Sequence, residues 1–261
     1  MPAREPEEIF EETRKEGRRR LSRPLLETAT TALIGGFDVA IGITAYVLTY
    51  AQVAPRFGED VAHLAGALAF GIGFVFVVVG RSELFTENFL VPVAGLDRNS
   101  GRSYAKLGEI WVAALALNVV GGAVMAIILT SHDVLRPGSG AAASSLAEHV
   151  GGLSPLASFL SALVAGSLMT VMTWFVEGSA TSMGVRIVMA WIVGAVMVLG
   201  SFNHAIVSQI EIIFGMRYGA DIGLGDFFVN LGLSVGGNLA GGLAFVTFTR
   251  AVQATANGGA K

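Results

Sequence analysis

Cysteine is absent from the 261 residues, so neither a disulfide framework nor a thiolate metal site is open to this chain, and its redox compartment stays undetermined. Charge is scarce as well. Only 14% of the residues are charged against 53% hydrophobic, and the mean hydropathy is +0.64. A water-soluble domain of this size has no interior large enough to hide that much apolar surface, so a bilayer is the expected solvent. A Gly-rich phosphate loop ending in Lys-Ser/Thr, a zinc-protease helix and a nucleophile elbow are all missing, which removes ATP coupling and the familiar hydrolytic chemistries. The chain is not expected to be an enzyme, no cofactor or metal is called for, and any solute has to move down a solute or proton gradient. A net charge of −3 gives no reason to expect nucleic acid. The first 24 residues carry no apolar core of signal-peptide length, so the spans themselves are expected to direct insertion.

What is present in quantity is apolar run. A helix rises about 1.5 Å per residue and needs roughly 20 apolar residues to cross the hydrocarbon, which predicts six crossings at 25–53, 61–96, 104–130, 155–176, 185–215 and 224–249. The second and fifth are longer than a crossing requires and hold polar residues inside, Ser82-Glu83…Thr86-Glu87-Asn88 and Ser201…Asn203-His204. Both are expected to be broken helices; the alternative for the second is a plain span ending at Gly80 with an amphipathic surface stretch after it. The predicted organisation is a polar N-terminal arm at 1–24, a six-span membrane channel domain at 25–250, and a tail at 251–261.

Basic residues set the expected orientation. With the N-terminus in the cytoplasm, thirteen Lys and Arg residues fall on inner segments, and three, Arg56, Arg136 and Arg217, fall on outer loops, a strong positive-inside bias that places both termini in the cytoplasm. An internal repeat agrees with six spans. Asn118-Val119-Val120-Gly121-Gly122 recurs as Asn238-Leu239-Ala240-Gly241-Gly242, 120 positions later, and the break at Glu83 lies 120 before the break at Asn203. Two three-span halves, about 25–130 and 155–249, must cross in opposite senses because three is odd. Inverted repeats with matching broken helices point to a site between the breaks, near the midplane.

The arm is two-toned, with Glu5, Glu7, Glu8, Glu11 and Glu12 ahead of a basic run from Arg14 to Arg23. That order suits a helix dipole and a surface helix whose basic end lies against anionic headgroups; a regulatory gate is the other reading. The Gly, Ala and Ser rich stretch 131–154 is expected to cover a vestibule or to serve as a flexible linker.

His204 is the one histidine of four that falls well inside a predicted span, since His63, His132 and His149 sit at or beyond membrane edges. An ionisable group in the membrane is costly and functional by default, and a small acid or anion beside it can exchange a proton with it near neutral pH. The plain alternative is a core imidazole satisfied by backbone or by Asn203. Thr86 lies in the other break, where its hydroxyl can hold a carboxylate-like solute or orient an imidazole, or cap the helix that continues from Phe89. Arg81, Glu83, Glu87 and Asn88 are expected to brace that loop with hydrogen bonds and ion pairs. Asn118 and Asn238 each precede a Gly-Gly pair of the kind that lets membrane helices approach closely, and Asn238 can offer its amide to the pore. Asp38 is expected to face protein or a neighbouring subunit. Phe70, Phe74, Phe85 and Phe202 are candidates for apolar constrictions, with packing as the bland alternative.

These residues are similar to a known set. Gly80-Arg81-Ser82-Glu83-Leu84-Phe85-Thr86-Glu87-Asn88 resembles the broken second helix of the formate/nitrite transporter family, and Phe202-Asn203-His204-Ala205-Ile206 resembles its broken fifth helix. Leu168-Met169-Thr170-Val171-Met172-Thr173-Trp174 looks like the family's fourth-helix signature, and Gly237-Asn238-Leu239-Ala240-Gly241-Gly242 like its sixth. The Thr-Glu-Asn after Phe85 and Glu211 fit the YfdC-like branch. Asn203 stands where a Glu is usual, Ser167 where an Asn is usual, and Thr170 where a slit residue is normally apolar.

The resemblance implies an all-α protomer of aquaporin-like fold with broken helices 2 and 5, a homopentamer with one pore per protomer, and a bacterial-type inner membrane location. Carried over by position, His204 is the central pore histidine, Thr86 its loop partner, and Asn203 and Asn238 its neighbours; Phe70, Phe74, Leu84, Phe85, Phe202 and Thr170 line constrictions. The implied solute is a small monovalent weak-acid anion. Two rivals remain: a facilitator of water, ammonia or a glycerol-like solute, and a non-conducting scaffold or sensor working through the arm.

Overall fold

The computed structural model describes residues 4–179 and 182–258; Lys261 and the rest of the expected tail beyond 258 lie outside the described residues. The order is α1 (Pro6–Leu21), α2 (Leu25–Phe57), α3 (Glu59–Gly80), a 3-10 turn (Phe85–Phe89), α4 (Val91–Ala94), α5 (Gly101–Leu129), α6 (Ser139–Gly151), α7 (Pro155–Gly178), α8 (Met183–Leu199), α9 (Val207–Arg217), α10 (Leu224–Leu239), a π-helical segment (Ala240–Thr247) and α11 (Phe248–Gly258). No strand occurs among the described residues. Five apolar helices are long enough to cross a bilayer, Leu25–Phe57, Glu59–Gly80, Gly101–Leu129, Pro155–Gly178 and Leu224–Ala256. The remaining crossing is shared by α8 and α9.

The helix starts are written in the sequence. Ser100, Ser154 and Ser182 each accept a hydrogen bond from the backbone N–H three residues on, capping α5, α7 and α8, as short hydroxyl side chains do at helix N-termini. Gly58, at φ 82°, turns α2 back into α3. On α3 the exposed Leu64, Leu68, Ile72 and Phe76 repeat at one-turn spacing, a stripe that lipid or a neighbouring apolar surface covers and water does not.

Both breaks begin the same way. Arg81 (φ 56°) and Ser201 (φ 47°) adopt the left-handed conformation and end α3 and α8, a state that side chains with a Cβ enter only when the surroundings hold them there. The chain beyond each is extended, and its freed backbone groups need partners because hydrocarbon offers none. One asparagine supplies them in each half. Asn118 Oδ1 accepts from Phe85 N (2.8 Å), and its Nδ2 donates to Ala32 O (2.6 Å) and Glu83 O (2.8 Å). Asn238 Oδ1 accepts from Ala205 N (2.9 Å), and its Nδ2 donates to Ala162 O (2.7 Å) and Asn203 O (3.1 Å). The repeat read from five-residue echoes therefore recurs bond by bond, as two inverted three-helix units with broken helices 2 and 5. Gly121 and Gly241 serve the same contact, since a Cβ at either would overlap the carbonyl oxygen of Leu33 or Leu163.

The structure differs from the sequence reading at 131–154. Instead of a flexible linker, residues 139–151 form α6, which packs on α9 and α2. Its alanines explain the helix: Ala143 and Ala147 are buried and meet Gly215 of α9 too closely for a larger pair. Composition alone reads such small residues as loop, while close packing makes them an interface.

Replacing Asn118 or Asn238 by Leu strips a buried extended segment of its polar partners. Each substitution is expected to lower stability by about 1–3 kcal/mol, read as a lower thermal midpoint of the detergent-solubilised protein; an unchanged midpoint for both would contradict the role given to the amides.

Candidate functional site: the junction of the two breaks

The two extended segments bring His204 against Thr86. His204 is fully buried, and its Nε2 lies 2.7 Å from Thr86 Oγ1. Its Nδ1 accepts the backbone N–H groups of Ile206 (3.3 Å) and Val207 (3.1 Å), so the ring acts as the cap at the start of α9. Those N–H groups only donate, which assigns the proton to Nε2 and leaves a neutral imidazole donating to Thr86 Oγ1. The threonine's own hydroxyl hydrogen then has no acceptor among the described residues and is free for a solute. The N-terminal end of α9 also points its partial positive charge toward the ring.

Aromatic and apolar side chains surround the pair. Phe74 lies with its ring centroid 6.2 Å from that of His204 and stacks edge-on to Phe70 at 5.4 Å. Phe85 meets Phe89 at 4.9 Å, and Phe89 meets Trp111 at 5.9 Å. Leu84 is fully buried and Phe85 nearly so, while Phe202 is only partly buried. Thr170 turns its hydroxyl back onto Gly166 O (2.9 Å) of its own helix, and so satisfies its polarity locally. Phe89 is held by the π-helical segment, where Gly242 leaves room for its ring and Thr247 Oγ1 donates to Phe89 O (3.0 Å). Neither the π segment nor Phe89 stands out in the sequence, because one extra residue in a helical turn leaves no compositional mark.

The remaining candidates spread around this junction. Asn203 turns away from it: its Nδ2 donates to Ser158 Oγ (2.7 Å) of α7, and its backbone N–H to Ser161 Oγ (3.0 Å). Asn238 spends its amide on backbone. Asn88 Nδ2 donates to Leu84 O (3.2 Å), and Glu87 Oε2 accepts from Leu84 N (3.0 Å), so both tighten the 3-10 turn. Asp38 accepts from Ser82 Oγ (2.6 Å). The cations that meet Glu83 come from the arm: Arg23 Nη1 donates to its Oε1, and Arg20 Nε lies 3.3 Å from the same oxygen. Arg20 also donates to Asn88 Oδ1 (3.1 Å). Sequence reading paired these acids with Arg81, which is exposed and, among the described residues, makes no ion pair; sequence distance hid the arginines some 60 residues away.

Arg20, Arg23, Arg81, Glu83, Glu87 and Arg186 thus line a vestibule of about 230 Å³ on the face that carries α1. On the opposite face a void of about 10 Å³ lies beside Phe202.

Two interrupted helices crossing in opposite senses, with their breaks stapled at mid-depth around a shared polar pair, define a membrane channel or transporter. The chain belongs to the formate/nitrite transporter family, whose profile matches residues 7–252. It is 24% identical over 237 residues to the inner membrane protein YfdC of Escherichia coli, covering 90% of this chain and 74% of that one. It is also 24% identical to the formate channel BtFdhC of Bacillus thuringiensis, covering 95% of each. Among solved structures it resembles a pentameric formate channel with formate bound, with a TM-score of 0.74 at 23% identity, covering 87% of this chain and 96% of that one.

Two outcomes follow from this geometry. Thr86→Val leaves the buried Nε2–H without an acceptor and is expected to cost about 1–3 kcal/mol; Thr86→Ser, which keeps the hydroxyl, should retain most of the thermal midpoint, and equal losses in the two variants would contradict the bond. On α1, burial works against the charge of Glu16, yet hydrogen bonds and charge from Arg19 and Arg20 hold its carboxyl below the usual carboxylate range. A group lowered in the folded state contributes stability above its unfolded value and loses it as the pH falls through the folded one. Hydrogen exchange should therefore show α1 protected above the ordinary carboxylate range and losing that protection as the pH falls from there to the lower folded value of Glu16.

Proposed function

We propose that this chain forms a homopentameric channel in a bacterial inner membrane, with both termini cytoplasmic and one pore in each protomer. It passes small monovalent weak-acid anions of the formate or nitrite type. The observation that carries the reading is the Thr86–His204 pair. It presents the free hydroxyl hydrogen of Thr86, polarised by the imidazole N–H that its oxygen accepts, in surroundings that are otherwise apolar, and so offers a donor to an anion's oxygens without a fixed cation that would trap it. Family membership, the likeness to a formate-bound channel and the excess of basic residues on the face of α1 support the same reading. Phe70, Phe74, Leu84, Phe85 and Phe202 form the greasy constrictions on either side, where an ion must shed its charge or its water.

His204 couples passage to protonation by polarising the Thr86 hydroxyl that holds the anion while a proton joins it, so that the neutral acid crosses the constrictions. The ring's Nδ1 stays engaged as the cap of α9. Its part is therefore to donate a hydrogen bond from Nε2 and not to shuttle a proton through both nitrogens.

Flux of formate, nitrite and acetate into proteoliposomes at two pH values tests this. Weak-acid flux should rise as the pH falls, and His204→Asn should change selectivity or pH slope while leaving the fold intact. Passage of water or ammonia with no weak-acid flux at either pH would replace the reading with a neutral-solute facilitator.

A further inference from the structure

Glu211 is a buried carboxyl that the junction does not use. It sits on α9 one turn beyond Val207 and is 8% exposed. Among the described residues it makes no hydrogen bond and no ion pair. The small void on the face away from α1 is lined by Glu211, Val207, Phe202, Ser201, Leu146 and His149, with room for about one water. Phe202 forms one wall of that void and belongs to the break that carries His204, so the void that holds the carboxyl adjoins the segment that holds the imidazole. The opposite vestibule has its acids matched by arginines; this side has a lone acid.

We infer that Glu211 is the proton-exchange group on the side of the pore away from α1, giving its proton to an incoming weak-acid anion before the neutral acid passes Phe202. This rests on the weak-acid reading above. The step balances: the carboxyl O–H bond breaks, an O–H bond forms on the anion, and the carboxylate left behind regains a proton from water on its own side. His204 does not fit this role as well, because both its ring nitrogens are already engaged. An ionised carboxylate with neither counter-ion nor donor is costly in an apolar cavity, which favours exchange with whatever enters.

The neighbours that face it are few. From α6 comes His149, which lines the void, and α2, which packs against α9, carries Tyr46. Tyr46 is occupied, since its hydroxyl meets His63 Nδ1 at 2.8 Å while His63 Nε2 meets Leu199 O at 3.1 Å. α10 presents the neutral Asn230, bonded to Gln209 (2.7 Å). α5 brings no charged group to it. Arg217, on α9 itself, is turned to Thr130 Oγ1 at 3.2 Å. Among the described residues that line the void, His149 is the one other ionisable side chain.

The test compares formate flux driven from that side at several pH values in the parent, Glu211→Gln, Glu211→Asp and His149→Gln. Glu211→Gln should flatten the pH slope and lower flux on the order of tenfold, as loss of a positioned acid does. Glu211→Asp should recover part of it, and His149→Gln should keep the slope. A parent that conducts formate beside a Glu211→Gln variant with a superimposable pH profile would overturn the inference. Infrared difference spectra of the reconstituted protein on stepping the pH give a second readout that needs no transport: one component of the carboxylic-acid carbonyl band is expected in the parent and lost in Glu211→Gln, and parent and variant spectra that superimpose in that region equally overturn it. A parent without formate flux would instead sink the preceding functional reading, and the infrared band would still decide whether Glu211 is the titrating group.

Discussion

A helix broken in the middle of a bilayer exposes peptide groups that no lipid can satisfy, and this protein meets that constraint with one asparagine amide in each half. Asn118 and Asn238 both accept from the residue just past the break and donate to the break itself and to the first helix of the same half. The residues held by their N–H groups are Phe85 and Ala205, the immediate neighbours of Thr86 and His204. The central pair is thus set by two staples related by the repeat, and its 2.7 Å separation is a consequence of backbone positions fixed elsewhere. The glycines that follow each asparagine let the carrying helix come close enough for the amide to reach.

The halves share a backbone and differ in charge. At equivalent positions the first break has Glu83 and the second has Asn203. The carboxylate draws two arginines from the arm and ties α1 across the vestibule. The amide needs no counter-ion and settles on Ser158 of α7, while the backbone N–H of the same residue donates to Ser161. One symmetric scaffold therefore opens onto a charged vestibule on one side and onto a small apolar void on the other. The two faces differ in chemistry, with paired ions lining one and a single acid lining the other.

The way His204 is held changes the chemistry expected of it. A free imidazole in a pore invites a proton-shuttle role, but a ring whose Nδ1 caps a helix is fixed in one tautomer and offers a single polarised N–H. Backbone donors at one nitrogen strengthen donation from the other. The anion-holding role proposed for the Thr86–His204 pair rests on that fixed orientation.

Much of this architecture is legible in the chain. Apolar runs too long for one crossing, polar residues inside them and a five-residue echo at an offset of 120 are local signals, and they specify six crossings, two breaks and the inversion, because a bilayer imposes the same length and satisfaction rules on every segment. Thr86 and His204 could be singled out for the same reason. Their mutual contact, the tautomer of the ring, the use of Asn238 as a staple, the arrival of Arg20 and Arg23 at Glu83, the helix at 139–151 and the π-helical seat of Phe89 could not. Each depends on side chains from distant segments meeting in space, where partner choice follows from which donors and acceptors the packed helices bring within reach, and a linear pattern of residue types carries no record of that.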